Sequence, residues 1–177
     1  MASSDGVLLH ALLATVPNPS AVLLLCHGLT TNRNEHGAFL ALRDRARHAG
    51  IAVARFDFRA HGRSGGSNER LRLAGLRDDA DAVLAWVDRQ LGRELPVIPV
   101  GVSFGAGAAV HVASTRRGCH GLALWYPVVD YEWMYGAGSP APFARRARAA
   151  RHEDDPPWAA MPVLGTAYHI PSALIAE

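Results

Sequence analysis

The stretch Gly101-Val102-Ser103-Phe104-Gly105 constrains this chain more than any other, because of its two flanks. Leu95-Pro96-Val97-Ile98-Pro99-Val100 precedes it, short, apolar and β-branched, as a buried parallel strand is. Ala106-Gly107-Ala108-Ala109-Val110-His111-Val112-Ala113 follows, and its small residues read as a tightly packed helix. Strand, G-x-S-x-G and helix in this order describe a nucleophile elbow, in which the serine sits on a sharp turn and its hydroxyl stands clear of the sheet edge. Such a turn leaves little room for a Cβ two residues before or after the serine, which favours glycine at both places. The helix that begins there aims free N–H groups and its positive dipole end at the place where an oxyanion would form. Two rival readings share the stretch. One is a glycine-rich turn that packs closely and carries no chemistry. The other is a phosphate cradle, since Gly105-Ala106-Gly107-Ala108-Ala109-Val110 approaches G-x-G-x-x-G/A, but Val110 fills the last position and two βα units precede it.

Two further strand-and-loop segments bear on the choice. Ala21-Val22-Leu23-Leu24-Leu25-Cys26 runs into His27-Gly28-Leu29-Thr30, and Ile51-Ala52-Val53-Ala54-Arg55-Phe56-Asp57-Phe58 runs into Arg59-Ala60-His61-Gly62-Arg63-Ser64-Gly65-Gly66. With the elbow, these resemble the α/β-hydrolase superfamily: a strand ending in His-Gly, an F-D-x-R-x-H-G-x-S loop and G-x-S-x-G, in that order. Asn34-Glu35 and Asp78-Asp79 are similar to the branch that holds serine aminopeptidase-like hydrolases and acyl thioesterases. The resemblance covers about residues 7–130 and implies a mostly parallel sheet with helices on both faces, lacking the family's last strands. It implies Ser103 as nucleophile and the backbone N–H groups of Leu29 and Phe104 as the oxyanion hole. His27, Gly28 and His61 would then shape the substrate-binding loops rather than supply the base.

Hydrophobic periodicity fills in the remaining elements. Residues 7–16 read as a first strand, 37–49 as a helix, and 76–91 as an amphipathic helix with Leu76, Ala80, Val83, Leu84, Val87 and Leu91 at helical spacing. Residues 122–129 read as a strand ending at Asp130, apolar on both faces and suited to the interior of a parallel sheet. Strands alternating with helices imply the α/β class. Residues 1–130 are expected to form the N-terminal part of the core. Residues 131–177, with their prolines, arginines and no strand periodicity, are expected to be a cap or lid-like segment.

Composition narrows the function classes. All 18 basic residues are arginine, so a lysine Schiff base and a P-loop lysine are excluded. A net charge of +2, with Arg55, Arg59 and Arg63 spread over a strand and a loop, gives no nucleic-acid stripe. Two cysteines, Cys26 and Cys119, make neither a metal cluster nor a disulfide framework and suit a reducing compartment. No metal or cofactor is expected. No run is long enough to span a membrane, and the apolar start lacks a basic n-region and is interrupted by His10, so a cytoplasmic location is expected.

A serine nucleophile needs a base and an acid, in the chain order serine, acid, histidine. Asp130 is the candidate acid, with capping of the following turn as its alternative role. His169 and His152 are the candidate bases, against a lid or surface role. Neither acid nor base is secured, so Ser103 in this chain alone is expected to react slowly. The resulting reading is a hydrolase of small-molecule esters or thioesters through an acyl-Ser103 intermediate. An acyltransferase with the same nucleophile and a non-catalytic binding module are its alternatives. The strand at 122–129 has no further strand to pair with, so self-association through that edge is expected.

Overall fold

The computed structural model describes residues 1–68 and 71–135, together with the backbone of 160–163 and 166–169. β1 (Ala11–Ala14), β2 (Val22–Cys26), β3 (Ala52–Phe56), β4 (Val97–Val102) and β5 (Ala123–Trp125) form one sheet in the order β1-β3-β2-β4-β5. β2 to β5 run parallel, and β1 pairs antiparallel with β3. Every residue of β2 and β3 is buried, because helices cover both faces of the sheet.

On one face, α1 (Ala38–His48) presses Phe39 and Ala46 onto Leu23, Leu25, Val53, Val100 and Val102. On the other, α2 (Leu73–Leu91) and α3 (Ala106–Thr115) cover Val22, Leu24, Ala52, Ala54 and Phe56. The stripe of α2 read from the sequence, from Leu76 to Val87, is the stripe that is buried. Small residues on α3, namely Ala108, Ala109 and Val112, let that helix lie close to the strands. A mostly parallel sheet with helices on both faces is thus the fold the sequence leads one to expect.

Two elements depart from expectation. The strand expected over 122–129 is only the three residues of β5, which ends the sheet order as a strand with no further partner would. Val97 donates to Gly118 O and accepts from His120 N–H, both at 3.0 Å, so odd-numbered residues of β4 face β5. Pro99 is the next residue on that side and has no N–H to give, which interrupts the ladder before Ala123. Beyond Trp125, Tyr126 turns left-handed at φ 49° and Pro127 again lacks a donor. The second departure is in the tail, expected to hold no strand, where β6 (Ala160–Val163) and β7 (Thr166–His169) pair antiparallel. Leu164-Gly165 joins them in sequence, a two-residue link with a glycine, which is a hairpin signal the prolines nearby obscure. A short helix, α4 (Tyr131–Tyr135), follows Asp130.

Candidate active site

Parallel β2, β3 and β4 end at the same edge of the sheet, so the loops that follow them converge there. Ser103 occupies the turn from β4 into α3 with φ 50°, a left-handed backbone that costs a non-glycine residue roughly 1–2 kcal/mol. Both flanking glycines are needed for this. A Cβ at Gly101 would stand 2.6 Å from Ala106 Cα, and one at Gly105 would overlap the carbonyl oxygens of His27 and Cys26. The elbow is therefore wedged between α3 and the end of β2. Ser103 itself is only partly buried, and its carbonyl accepts Val128 N–H at 3.3 Å, which ties it to the segment after β5.

The His27-Gly28-Leu29 loop is fixed by both histidines. Phe58 N–H donates to His27 Nε2 at 3.0 Å, so that nitrogen is an acceptor. The proton therefore sits on Nδ1, which donates to Gly28 O at 2.7 Å. Burial, with His61 close by, pushes the His27 pKa down to about 3, and the ring is neutral and fully committed. It cannot serve as a base. The unfolded chain takes up this proton below about pH 6.5 while the folded chain does not until about pH 3. Stability is accordingly expected to fall as pH drops through that window, by about 1.4 kcal/mol per unit from this group. Urea titrations at pH 7, 6 and 5 on the unsubstituted chain and His27→Gln would show the slope shrinking in the variant; equal slopes would remove His27 as its source.

His61 is buried too, its ring set between the loop after β3 and the loop after β2, with Nδ1 2.8 Å from Arg59 O and Nε2 2.6 Å from Leu29 O; a neutral ring donates to one of these two carbonyls. A trans peptide points its N–H opposite its C=O. His27 holds Gly28 O, and so the Leu29 N–H of the same peptide is turned the other way. It meets no acceptor among the described residues. Gly28 lies against the elbow, since a Cβ there would be 3.7 Å from Ser103 Cβ.

The charged residues of the β3 loop are structural. Asp57 is fully buried and accepts Arg33 N–H at 2.8 Å, the Arg33 guanidinium, and Arg63 N–H at 3.0 Å. Arg59 reaches across to α2, where its own N–H and its guanidinium meet the buried Asp79 carboxylate at 2.8 to 3.1 Å. The same guanidinium donates to Asp5 at 2.7 Å and Ser3 at 3.0 Å, which holds the N-terminal segment. The F-D-x-R signature thus builds the frame of the loops around the Ser103 turn.

The other sequence candidates are placed as follows. Asp130 is exposed and its Oδ1 accepts Trp133 N–H at 2.7 Å, so it caps α4. Tyr131 on α4 donates its hydroxyl to Phe104 O at 3.0 Å. Backbone alone describes His169, which stands on β7 opposite Ala160. His152 lies outside the described residues. Sequence reasoning singled out Glu35 only as a family mark and gave it no role; its Oε2 accepts Gly28 N–H at 2.7 Å, a contact that only the fold makes by bringing a residue seven positions on back to that loop. Among the described residues no group of three or more metal-binding side chains forms, and no helix is long and apolar enough to cross a membrane.

With this geometry in hand, the chain can be set beside known proteins. Residues 17–158 match the serine aminopeptidase family, S33. The chain belongs to that family. Among solved structures, this S33 chain is similar to Est1E from Butyrivibrio proteoclasticus, which was solved with ferulic acid bound. The identity is 19%, the TM-score is 0.72, and the match covers 97% of this chain and 67% of that one. A putative hydrolase from Agrobacterium vitis matches with 20% identity and a TM-score of 0.70, over 99% of this chain and 67% of that one. The Pyrococcus furiosus esterase PF2001 gives 24% and 0.64, over 77% and 51%. The S33 chain spans 44% of the length of an Exiguobacterium antarcticum esterase and 42% of that of a Bacillus coagulans carboxyl esterase. No curated protein matches it.

Proposed function

We propose that this S33 chain is a serine esterase in which Ser103 is acylated by a small-molecule ester or thioester. The left-handed Ser103 at the β4-to-α3 turn, beside the Leu29 peptide, is the observation that carries this reading. Ser103 Oγ attacks the acyl carbon, the oxyanion is met by Leu29 N–H and Phe104 N–H, and the leaving alcohol or thiol departs with the proton. Water then releases the acid and restores Ser103. A non-water acceptor would make the same intermediate an acyltransferase, but nothing in the site favours one. His169 is the proposed base and Asp130 the proposed acid. An aromatic acyl group of the kind bound by Est1E is a natural first substrate to try. Both cysteines are free, which suits a reducing, cytoplasmic setting.

Fluorophosphonate labelling followed by peptide mapping tests the reading. The label is expected slowly, on Ser103, and absent from Ser103→Ala. His169→Ala should slow it a further ~10²-fold or more if that residue takes the proton. A label that persists in Ser103→Ala would end the proposal, and an unchanged rate in His169→Ala would remove that residue from it.

Self-association belongs to the same reading. Leu122, Leu124, Trp125, Tyr126 and Val129 are exposed, and β5 has one neighbour among the described residues. An open apolar edge recruits other chains. Light scattering should show dimers or larger species that Leu124→Lys reduces; a concentrated monomer would count against it.

A further inference from the structure

We propose that Glu35 is a positioning residue for the oxyanion loop: its carboxylate, by holding Gly28 N–H, fixes the direction in which Leu29 N–H faces Ser103. This rests on the hydrolase reading for its catalytic consequence, though not for the contact itself. Glycine is the residue least able to hold its own conformation, and Gly28 is the residue on which the Leu29 peptide turns. Two side chains take over that task from opposite sides. Glu35 Oε2 accepts Gly28 N–H at 2.7 Å, and His27 Nδ1–H donates to Gly28 O at 2.7 Å. With the peptides before and after it both held, Gly28 has no free rotation left. The His61 ring packs beside them, with Nε2 2.6 Å from Leu29 O.

Delivery of the carboxylate strains the chain that carries it. Glu35 and His36 both have left-handed backbones, φ 43° and 51°, at roughly 1–2 kcal/mol each. No hydrophobic burial repays this, for neither residue is buried within the Glu35–Gly37 turn. The contact with Gly28 is what the strained turn achieves. A Cβ added at Gly28 would stand 3.7 Å from both Glu35 Oε2 and Ser103 Cβ, so carboxylate and elbow flank the same small space.

The hold depends on ionisation. Half-burial raises the Glu35 pKa above the ordinary glutamic range, although the Gly28 bond and the neighbouring His36 pull it down. His36 is the titratable group that acts on it among the described residues, and Thr31 and Ser103, which with it border the space at Gly28, carry no charge. Protonation halves the acceptor strength of a charge-assisted bond.

The test reads Gly28 directly. In 1H–15N spectra of the chain, the Gly28 amide should move downfield as Glu35 ionises, with one midpoint above the ordinary glutamic range, and should stop moving in Glu35→Gln. A Gly28 signal that ignores pH, or that titrates equally in Glu35→Gln, overturns the proposal. The carboxyl carbon of Glu35 in the unsubstituted chain gives the same answer without any substitution: its midpoint must coincide with that of Gly28. The positioning role is then read at neutral pH as the fluorophosphonate labelling rate of Ser103. It should fall about tenfold in Glu35→Ala and stay near the original in Glu35→Gln, which keeps an acceptor oxygen. Equal rates in all three chains overturn the role. No labelling of Ser103 in any of them overturns the hydrolase reading and the role with it, while the Gly28 titration still decides the contact.

Discussion

Asp79→Ala is expected to remove about 3–5 kcal/mol of stability, much of what a domain of this size possesses. Asp79 is fully buried and answers both the Arg59 backbone N–H and its guanidinium. Without it the arginine charge stays inside with Ser3 and the half-exposed Asp5 as its remaining partners. The guanidinium fills the space that the missing Cβ of Gly75 opens, within 2.6 Å of where that atom would be. Asp78→Ala, one residue away, loses only an exposed contact with Ser4 and should change stability by no more than about 0.5 kcal/mol. Urea denaturation of the pair measures the contrast. A loss under 1 kcal/mol for Asp79→Ala would show that the buried pair contributes little.

Gly105→Ala sets two effects of opposite sign against each other. Gly105 has an ordinary right-handed backbone, φ −68°, which alanine also adopts, so the reduced freedom of the unfolded chain alone predicts a stabilisation of about 0.4–1 kcal/mol. The added Cβ, however, would overlap the His27 and Cys26 carbonyl oxygens and lie 2.7 Å from Cys26 C. These are backbone atoms at the end of a central strand, unable to swing aside as a side-chain tip can. Overpacking against movable side chains already costs about 1–3 kcal/mol, and a fixed backbone should place the loss at the top of that range or above it. Sterics wins. Thermal unfolding should show Gly105→Ala well below the unsubstituted chain, with Ser103 labelling diminished as the elbow shifts. A variant as stable as the original would mean that α3 and β2 can move apart.

How much of this was legible depended on whether the cause was local. The helix expected over 37–49 is found at Ala38–His48, and the central strands fall within a residue or two of expectation, because uninterrupted apolar runs leave a buried parallel strand few choices. The elbow was legible because glycine spacing records a steric demand. β5 was overestimated because its apolar residues gave no sign that Pro99, more than twenty positions earlier, withholds the partner bond. The frame residues Asp57, Arg59 and Asp79 could be matched to a family pattern, yet only the fold shows that they serve the loops. The contact of Glu35 was hidden for a similar reason, although Asn34-Glu35 matched the family pattern: a left-handed turn at non-glycine residues leaves no mark in composition.

The left-handed serine has a practical consequence for anyone who seeks sturdier versions of this chain. Glycine would adopt φ 50° freely and has a hydrogen where Ser103 carries its hydroxymethyl group. A library screened for heat resistance alone would thus reward loss of the hydroxyl proposed as nucleophile, since strain at such a residue and robustness of the whole pull in opposite directions. Selection for persistence and selection for reactivity meet at position 103, and only a screen that asks for both would keep the serine.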